Sequence, residues 1–248
     1  MTRTVKCHAD KYKDLIENIT QNGIPQSAQI IYSGRNNVYT LTADDGTVIN
    51  IKSFHKPKFP NNYIYTNFRP SKAERSYLHA KRLLGMGILT PEPFGWGEVK
   101  EGGELKESYY FCKQVPFQNV RNWQDIPDYE LMLKALGKDI VKIFKNGVLH
   151  KDFTAGNILF EPIGDGNYNF YYIDLNRMDF NVHSHCKLMS MFRGIHPDKE
   201  QVAKLAEYFA KAANLDADKT VREALHQVDV LIKTKRRHNA LKKLFKKS

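Results

Sequence analysis

The run Leu149-His150-Lys151-Asp152-Phe153-Thr154-Ala155-Gly156-Asn157-Ile158-Leu159-Phe160 constrains this chain more than any other stretch. It sets a histidine, an aspartate and an asparagine at H-x-D-x-x-x-x-N spacing and leads straight into an apolar strand. One short loop of this kind brings a carboxylate and an amide oxygen to the same reacting centre. The carboxylate orients an attacking hydroxyl and receives its proton, while the amide oxygen holds a hard cation. A short hairpin later, Phe170-Tyr171-Tyr172-Ile173-Asp174-Leu175-Asn176 supplies a second aspartate at a strand end. Turn, cap and strand-end roles would account for Asp152, Asn157 and Asp174 singly. Their common register fits phosphoryl transfer better.

Size and charge set bounds on that reading. The 248 residues suffice for one sizeable domain or two lobes. Lysine and arginine exceed aspartate and glutamate by 38 − 27 = 11, which favours polyanionic partners such as nucleotides, phospholipids or phosphorylated glycans. Cys7, Cys112 and Cys186 are few, odd in number and widely spaced, so a disulfide framework is not expected and a reducing compartment is. The chain contains no run of about 18 apolar residues, and its first residues lack the apolar stretch of a signal peptide. The expected location is cytoplasmic.

Patterning predicts a β-rich first half and a helical second half. A helix is expected over 9–22 and strands at 28–32, 38–42 and 47–54, with Asp45-Gly46 turning the last two into a hairpin. A helix over 71–85 begins at Pro70 or is capped by Ser71, and Tyr109–Val115 pairs with a strand near 94–99. Tyr129–Lys145 reads as a helix with Leu131, Leu133, Leu136, Ile140, Val141 and Ile143 inward, stopped by Asn146-Gly147. Helices are expected at 183–193, 198–213 and 218–246. The expected class is α+β, a bilobal protein-kinase-like fold with an N-terminal lobe over 1–114 and a C-terminal lobe over 115–248.

That architecture assigns provisional roles. Lys52 ends the strand Val48-Ile49-Asn50-Ile51-Lys52, where an ammonium reaches nucleotide phosphates. Glu74, on the following helix, is the expected carboxylate partner of Lys52. Gly34, in the turn Ser33-Gly34-Arg35-Asn36, is expected to cover the phosphates, and Lys113 and Val115 complete the nucleotide contacts. Asp152 is the expected catalytic base, with His150 orienting its loop. Asn157 and Asp174 are the expected Mg²⁺ ligands, and ATP the phosphoryl donor. Lys151 stands where protein kinases carry an arginine for a phosphorylated activation loop. No Ala-Pro-Glu segment follows Asp174.

The chain resembles the bacterial lipopolysaccharide core kinases that act on Kdo or heptose. The likeness rests on His150-Lys151-Asp152-Phe153 with Asn157, on Ile173-Asp174-Leu175-Asn176-Arg177, and on Ser71-Lys72-Ala73-Glu74 leading to Gly87-Ile88-Leu89-Thr90-Pro91-Glu92-Pro93. It covers most of residues 28–215. The resemblance implies ATP- and Mg²⁺-dependent phosphorylation of an inner-core sugar hydroxyl at the cytoplasmic face of the inner membrane. The single-glycine turn and Leu175-Asn176, in place of Phe-Gly, depart from the protein-kinase pattern. Rival readings are a protein Ser/Thr kinase, a small-molecule phosphotransferase and an inactive pseudokinase binding module.

The C-terminus fits a substrate held at a membrane. Lys233, Lys235, Arg236, Arg237, Lys242, Lys243, Lys246 and Lys247 crowd the end of the chain, and Leu241, Leu244 and Phe245 share a helical face. A basic amphipathic helix over 233–248 is expected to touch anionic lipid, against the plainer reading of a solvated tail. No specific nucleic-acid partner is expected. His183-Ser184-His185-Cys186 invites a metal reading, but neighbouring helical residues point to different sides.

Overall fold

The structure, a computed structural model, describes residues 2–55 and 69–245, with side chains described as far as Asn239. The chain divides into two compact units, Met1–Pro116 with Asp174–Asn176, and Phe117–Ile173 with Arg177–Ser248.

The first unit is built on a six-stranded sheet. Its strands are β1 (Arg3–Ala9), β2 (Gln29–Ser33), β3 (Asn36–Thr42), β4 (Val48–Phe54), β5 (Pro93–Glu101) and β6 (Glu104–Lys113), in spatial order β1-β5-β6-β4-β3-β2. The predicted hairpin forms, with Thr42 opposite Val48 and Gly46 at φ 82° closing the turn. Helix α1 (Lys13–Asn22) lays Ile16 and Ile19 on Ile49, Ile51, Phe94 and Phe111, and all six are buried. Each such side chain contributes roughly 1.5–3 kcal/mol by leaving water. Strand β1 is a departure from expectation. Val5, Cys7 and Ala9 alternate half-buried against exposed neighbours, the period of an edge strand, but their small or polar companions hide it in sequence.

Helix α2 (Lys72–Gly85) starts where Ser71 Oγ accepts the Glu74 backbone N–H at 3.1 Å. It buries Ala73, Ser76, Tyr77, Ala80 and Leu83. That cap is the predicted one, satisfying an amide the first turn leaves open.

The second unit is mainly helical: α3 (Tyr129–Lys145), α4 (His185–Met189), α5 (Lys199–Ala213) and α6 (Ala217–Phe245). Its strands are short: β7 (Leu149–His150) with β10 (Met178–Asp179), and the hairpin β8 (Ile158–Gly164) with β9 (Asn167–Tyr172). Helix α3 has its predicted bounds, yet Leu131 faces solvent and Met132 takes the core position. The stripe it buries meets α5, where Phe144 and Phe209 have ring centroids 4.6 Å apart. The helix expected over 183–193 breaks after Met189 into a tighter 3₁₀ turn, Ser190–Gly194. The tail belongs to one helix running to Phe245, with Lys233, Lys235, Arg236 and Arg237 exposed. The Lys242 and Lys243 side chains, the Leu241-Leu244-Phe245 face and all of Lys246 and Lys247 lie outside the described residues.

Candidate active site

The loop from His150 to Asn157 is held by its own backbone partners. His150 is 2% exposed; its Nε2 lies 3.0 Å from the Ile173 carbonyl and its Nδ1 accepts the Asp152 backbone N–H at 3.2 Å. Those partners put the ring proton on Nε2 and make His150 a brace between the loop and the chain entering Asp174. Asn157 Nδ2 donates to the Asp152 carbonyl at 2.8 Å, and the Asn157 carbonyl accepts from the Ile173 N–H at 3.0 Å. With its nitrogen committed to the Asp152 carbonyl, the Asn157 amide keeps its oxygen as the candidate ligand for a hard cation.

Asp152 carries its carboxylate at the head of the loop, with Oδ1 2.8 Å from Arg177 Nη1. Lys151, its neighbour, pairs with Asp179 at 2.6 Å. Nothing in the local sequence marks Arg177 as a partner of Asp152; the two are 25 residues apart and meet because β10 folds back on β7.

In the first unit, Lys52 Nζ lies 2.6 Å from Asp174 Oδ1, and Asn176 Nδ2 donates to the same oxygen at 2.6 Å. Asp174 sits at φ 60°, a left-handed backbone that costs on the order of 1–3 kcal/mol for a residue with a side chain. This pairing corrects the expectation for Glu74. Among the described residues Lys52 and Glu74 form no ion pair; Glu74 instead faces Lys6 Nζ at 3.7 Å. The Ser71 cap holds the Glu74 backbone N–H, while the Glu74 side chain extends toward Lys6 on β1. The link from α2 to the Asp174 segment runs through His79, whose Nδ1 is 2.6 Å from the Leu175 carbonyl. Burial, before any other influence, holds the His79 pKa below the ordinary value of 6.5.

The remaining nucleotide candidates lie on the first unit's sheet. Gly34 forms the β2–β3 turn, and a Cβ there would stand 2.7 Å from Tyr32 Oη. The bare glycine therefore lets the Tyr32 ring fold over the turn. Lys113 closes β6, its N–H donating to the Glu92 carbonyl at 2.9 Å. The Val115 carbonyl accepts from Gln114 Nε2 at 3.0 Å. His185, from the suspected metal cluster, pairs with Glu223 at 2.8 Å.

Residues 34–185 match the lipopolysaccharide kinase (Kdo/WaaP) family, and the matched span contains Lys52, Asp152, Asn157 and Asp174. The chain belongs to that family. Its 3-deoxy-D-manno-octulosonic acid kinase relative from Vibrio parahaemolyticus is 23% identical over 148 residues, 58% of this chain and 59% of the relative. The chain thus matches a little over half the length of that curated relative. Among solved structures, WaaP in complex with acyl carrier protein is similar with TM-score 0.57 and 13% identity, covering 96% of this chain and 99% of that one. An amicoumacin kinase structure reaches TM-score 0.53 at 14% identity over 90% of this chain and 84% of its own. The Rio2 kinase from Chaetomium thermophilum, solved with ADP, Mg²⁺ and phosphoaspartate, reaches 0.51 at 14% identity over 90% and 75%. These likenesses show a kinase-like α+β fold for this family member.

Proposed function

We propose that the protein is an ATP-dependent kinase that transfers the γ-phosphate to a sugar hydroxyl of the lipopolysaccharide inner core. Its place would be in the cytoplasm, at the inner face of the inner membrane. The observation carrying this reading is the family match across 34–185, which holds all four expected phosphoryl-transfer residues in one span.

The residues fit the groups such a kinase needs. Asn157 and Asp174 would hold Mg²⁺ through oxygen, and the Asn157 amide already turns its nitrogen inward. Bound Mg²⁺ supplies charge neutralisation to the phosphate oxygens. Lys52, held at Asp174, would reach the nucleotide phosphates once that contact opens. Asp152 orients the acceptor hydroxyl and takes its proton, while His150 and Arg177 fix that carboxylate's loop and head. The exposed cations of α6 are the proposed contact with anionic lipid.

Mass spectrometry of lipopolysaccharide from cells lacking this chain is the test. The proposal requires loss of one phosphate from the inner core, restored by the intact gene and not by an Asp152→Asn copy. Unchanged phosphate content would refute it.

A further inference from the structure

Beside the Asp152–Asn157 loop, within the second unit, a pocket of about 820 Å³ opens between the chain at 121–125, the loop itself and the chain at 194–197. That size lies within the roughly 300–1,000 Å³ of small-ligand sites. Its walls are fixed to the catalytic loop. The Ala155 N–H donates to the Ile195 carbonyl at 3.3 Å, and the Val120 N–H donates to the Ile158 carbonyl at 3.0 Å. Behind it, buried Trp123 stacks on His196 with ring centroids 4.6 Å apart and planes at 17°, and its indole N–H donates to Gln201 Oε1 at 2.9 Å.

Arg121 is the cation of this pocket, and its guanidinium lies beside Gly156. A Cβ on Gly156 would stand 2.6 Å from Arg121 Nη2, 3.3 Å from Nε and 3.4 Å from Cζ. The exposed guanidinium therefore lies against the catalytic-loop backbone, one residue before Asn157. Among the described residues it has no carboxylate partner within 4.0 Å. Asp125 shares the pocket without pairing to it, and Gln124 and Thr154 add polar atoms of the kind that meet sugar hydroxyls. A positively charged fork beside a phosphoryl-transfer loop, with no carboxylate partner among the described residues, suits a planar or tetrahedral oxyanion bound through two parallel hydrogen bonds.

We propose that this pocket is the acceptor subsite, and that Arg121 binds an oxyanion carried by the acceptor glycan while its hydroxyl is presented to Asp152. The assignment rests on the kinase reading above. It makes Arg121 a specificity-determining residue: an acidic acceptor is favoured over its neutral counterpart. Two groups carry this chemistry, a sugar carboxylate and a phosphate ester on the same glycan.

The test measures steady-state transfer from ATP by the full-length protein to three acceptors: a Kdo-lipid A, its carboxyl-reduced form, and its dephosphorylated form. Wild-type protein should lose about tenfold or more in kcat/KM on one of the two altered acceptors, and which one identifies the oxyanion. Arg121→Gln should raise KM for the unaltered acceptor by a similar factor, with kcat within about threefold, and should erase the preference for the charged form. Arg121→Lys, which keeps charge but loses the fork, should fall between the two. Equal wild-type activity on all three acceptors would overturn the subsite while leaving the kinase reading intact. So would an Arg121→Gln protein that, folded by circular dichroism, keeps the wild-type preference. No transfer to any acceptor would overturn the kinase reading itself, and the subsite with it.

Discussion

Lys52 Nζ meets Asp174 Oδ1 at 2.6 Å across 122 residues of sequence, with the two side chains 19% and 31% exposed. The ammonium of β4 is thus parked on the carboxylate proposed to hold the metal, and on that proposal nucleotide with its cation would exchange this contact for phosphate and Mg²⁺. Asp174→Asn is expected to weaken binding of a non-hydrolysable ATP analogue in the presence of Mg²⁺, while Asp152→Asn leaves that affinity near wild type and removes transfer. Calorimetry on both variants checks the division of roles. Equal nucleotide defects in the two would show that Asp152 serves ATP rather than the acceptor.

The Arg177–Asp152 pair predicts a different split. Both side chains reach solvent, 57% and 31% exposed, so the pair adds under about 1 kcal/mol to stability. On the proposed mechanism its worth lies in aiming the Asp152 carboxylate. Arg177→Gln should leave the urea midpoint almost unmoved yet lower kcat by about tenfold, since misplacing a catalytic group by a fraction of an ångström is costly. A variant with wild-type kcat would assign the pair to the surface alone.

His79 gives a pH signature. Burial resists protonation of its ring, so below 6.5 the unfolded chain takes up a proton that the folded chain refuses. Stability should therefore decline as pH falls from 7.5 through 6.5 toward the lower folded pKa. His79→Gln, which keeps a donor for the Leu175 carbonyl, should show a shallower decline. Urea titrations at several pH values compare the slopes. Parallel curves for variant and wild type would mean His79 does not contribute.

The tail makes an electrostatic prediction. Lys233, Lys235, Arg236 and Arg237 stand exposed on α6, and each cation near an anionic bilayer contributes on the order of 1 kcal/mol. Full-length protein should sediment with anionic vesicles at low salt, less so as salt rises, and hardly at all after deletion of 233–248. Equal binding to neutral vesicles, or by the truncated chain, would mark a merely solvated end.

What sequence made legible was local. The spacing of His150, Asp152 and Asn157, the Asp45-Gly46 hairpin and the Ser71 cap each depend on residues a few places apart, and each appears as read. What it concealed was distant or negative. Glu74 and His79 sit five residues apart on one helix, and only the docking of α2 decides that His79 reaches the Asp174 segment while Glu74 turns to Lys6. Arg177 beside Asp152 likewise follows from strand pairing. The nearness of Gly156 to the Arg121 guanidinium exists only once two separated segments are side by side. Strand β1 stayed hidden because an exposed edge needs few apolar residues.

Phosphoryl transfer to an inner-core sugar through Asp152 and its loop is measured with purified full-length protein, Mg²⁺, γ-labelled ATP and a Kdo-lipid A acceptor. Label should move to the glycan, and Asp152→Asn should reduce the rate by about 10²–10⁴-fold without loss of fold. Label that never leaves ATP for the glycan, or an Asp152→Asn rate equal to wild type, would contradict it.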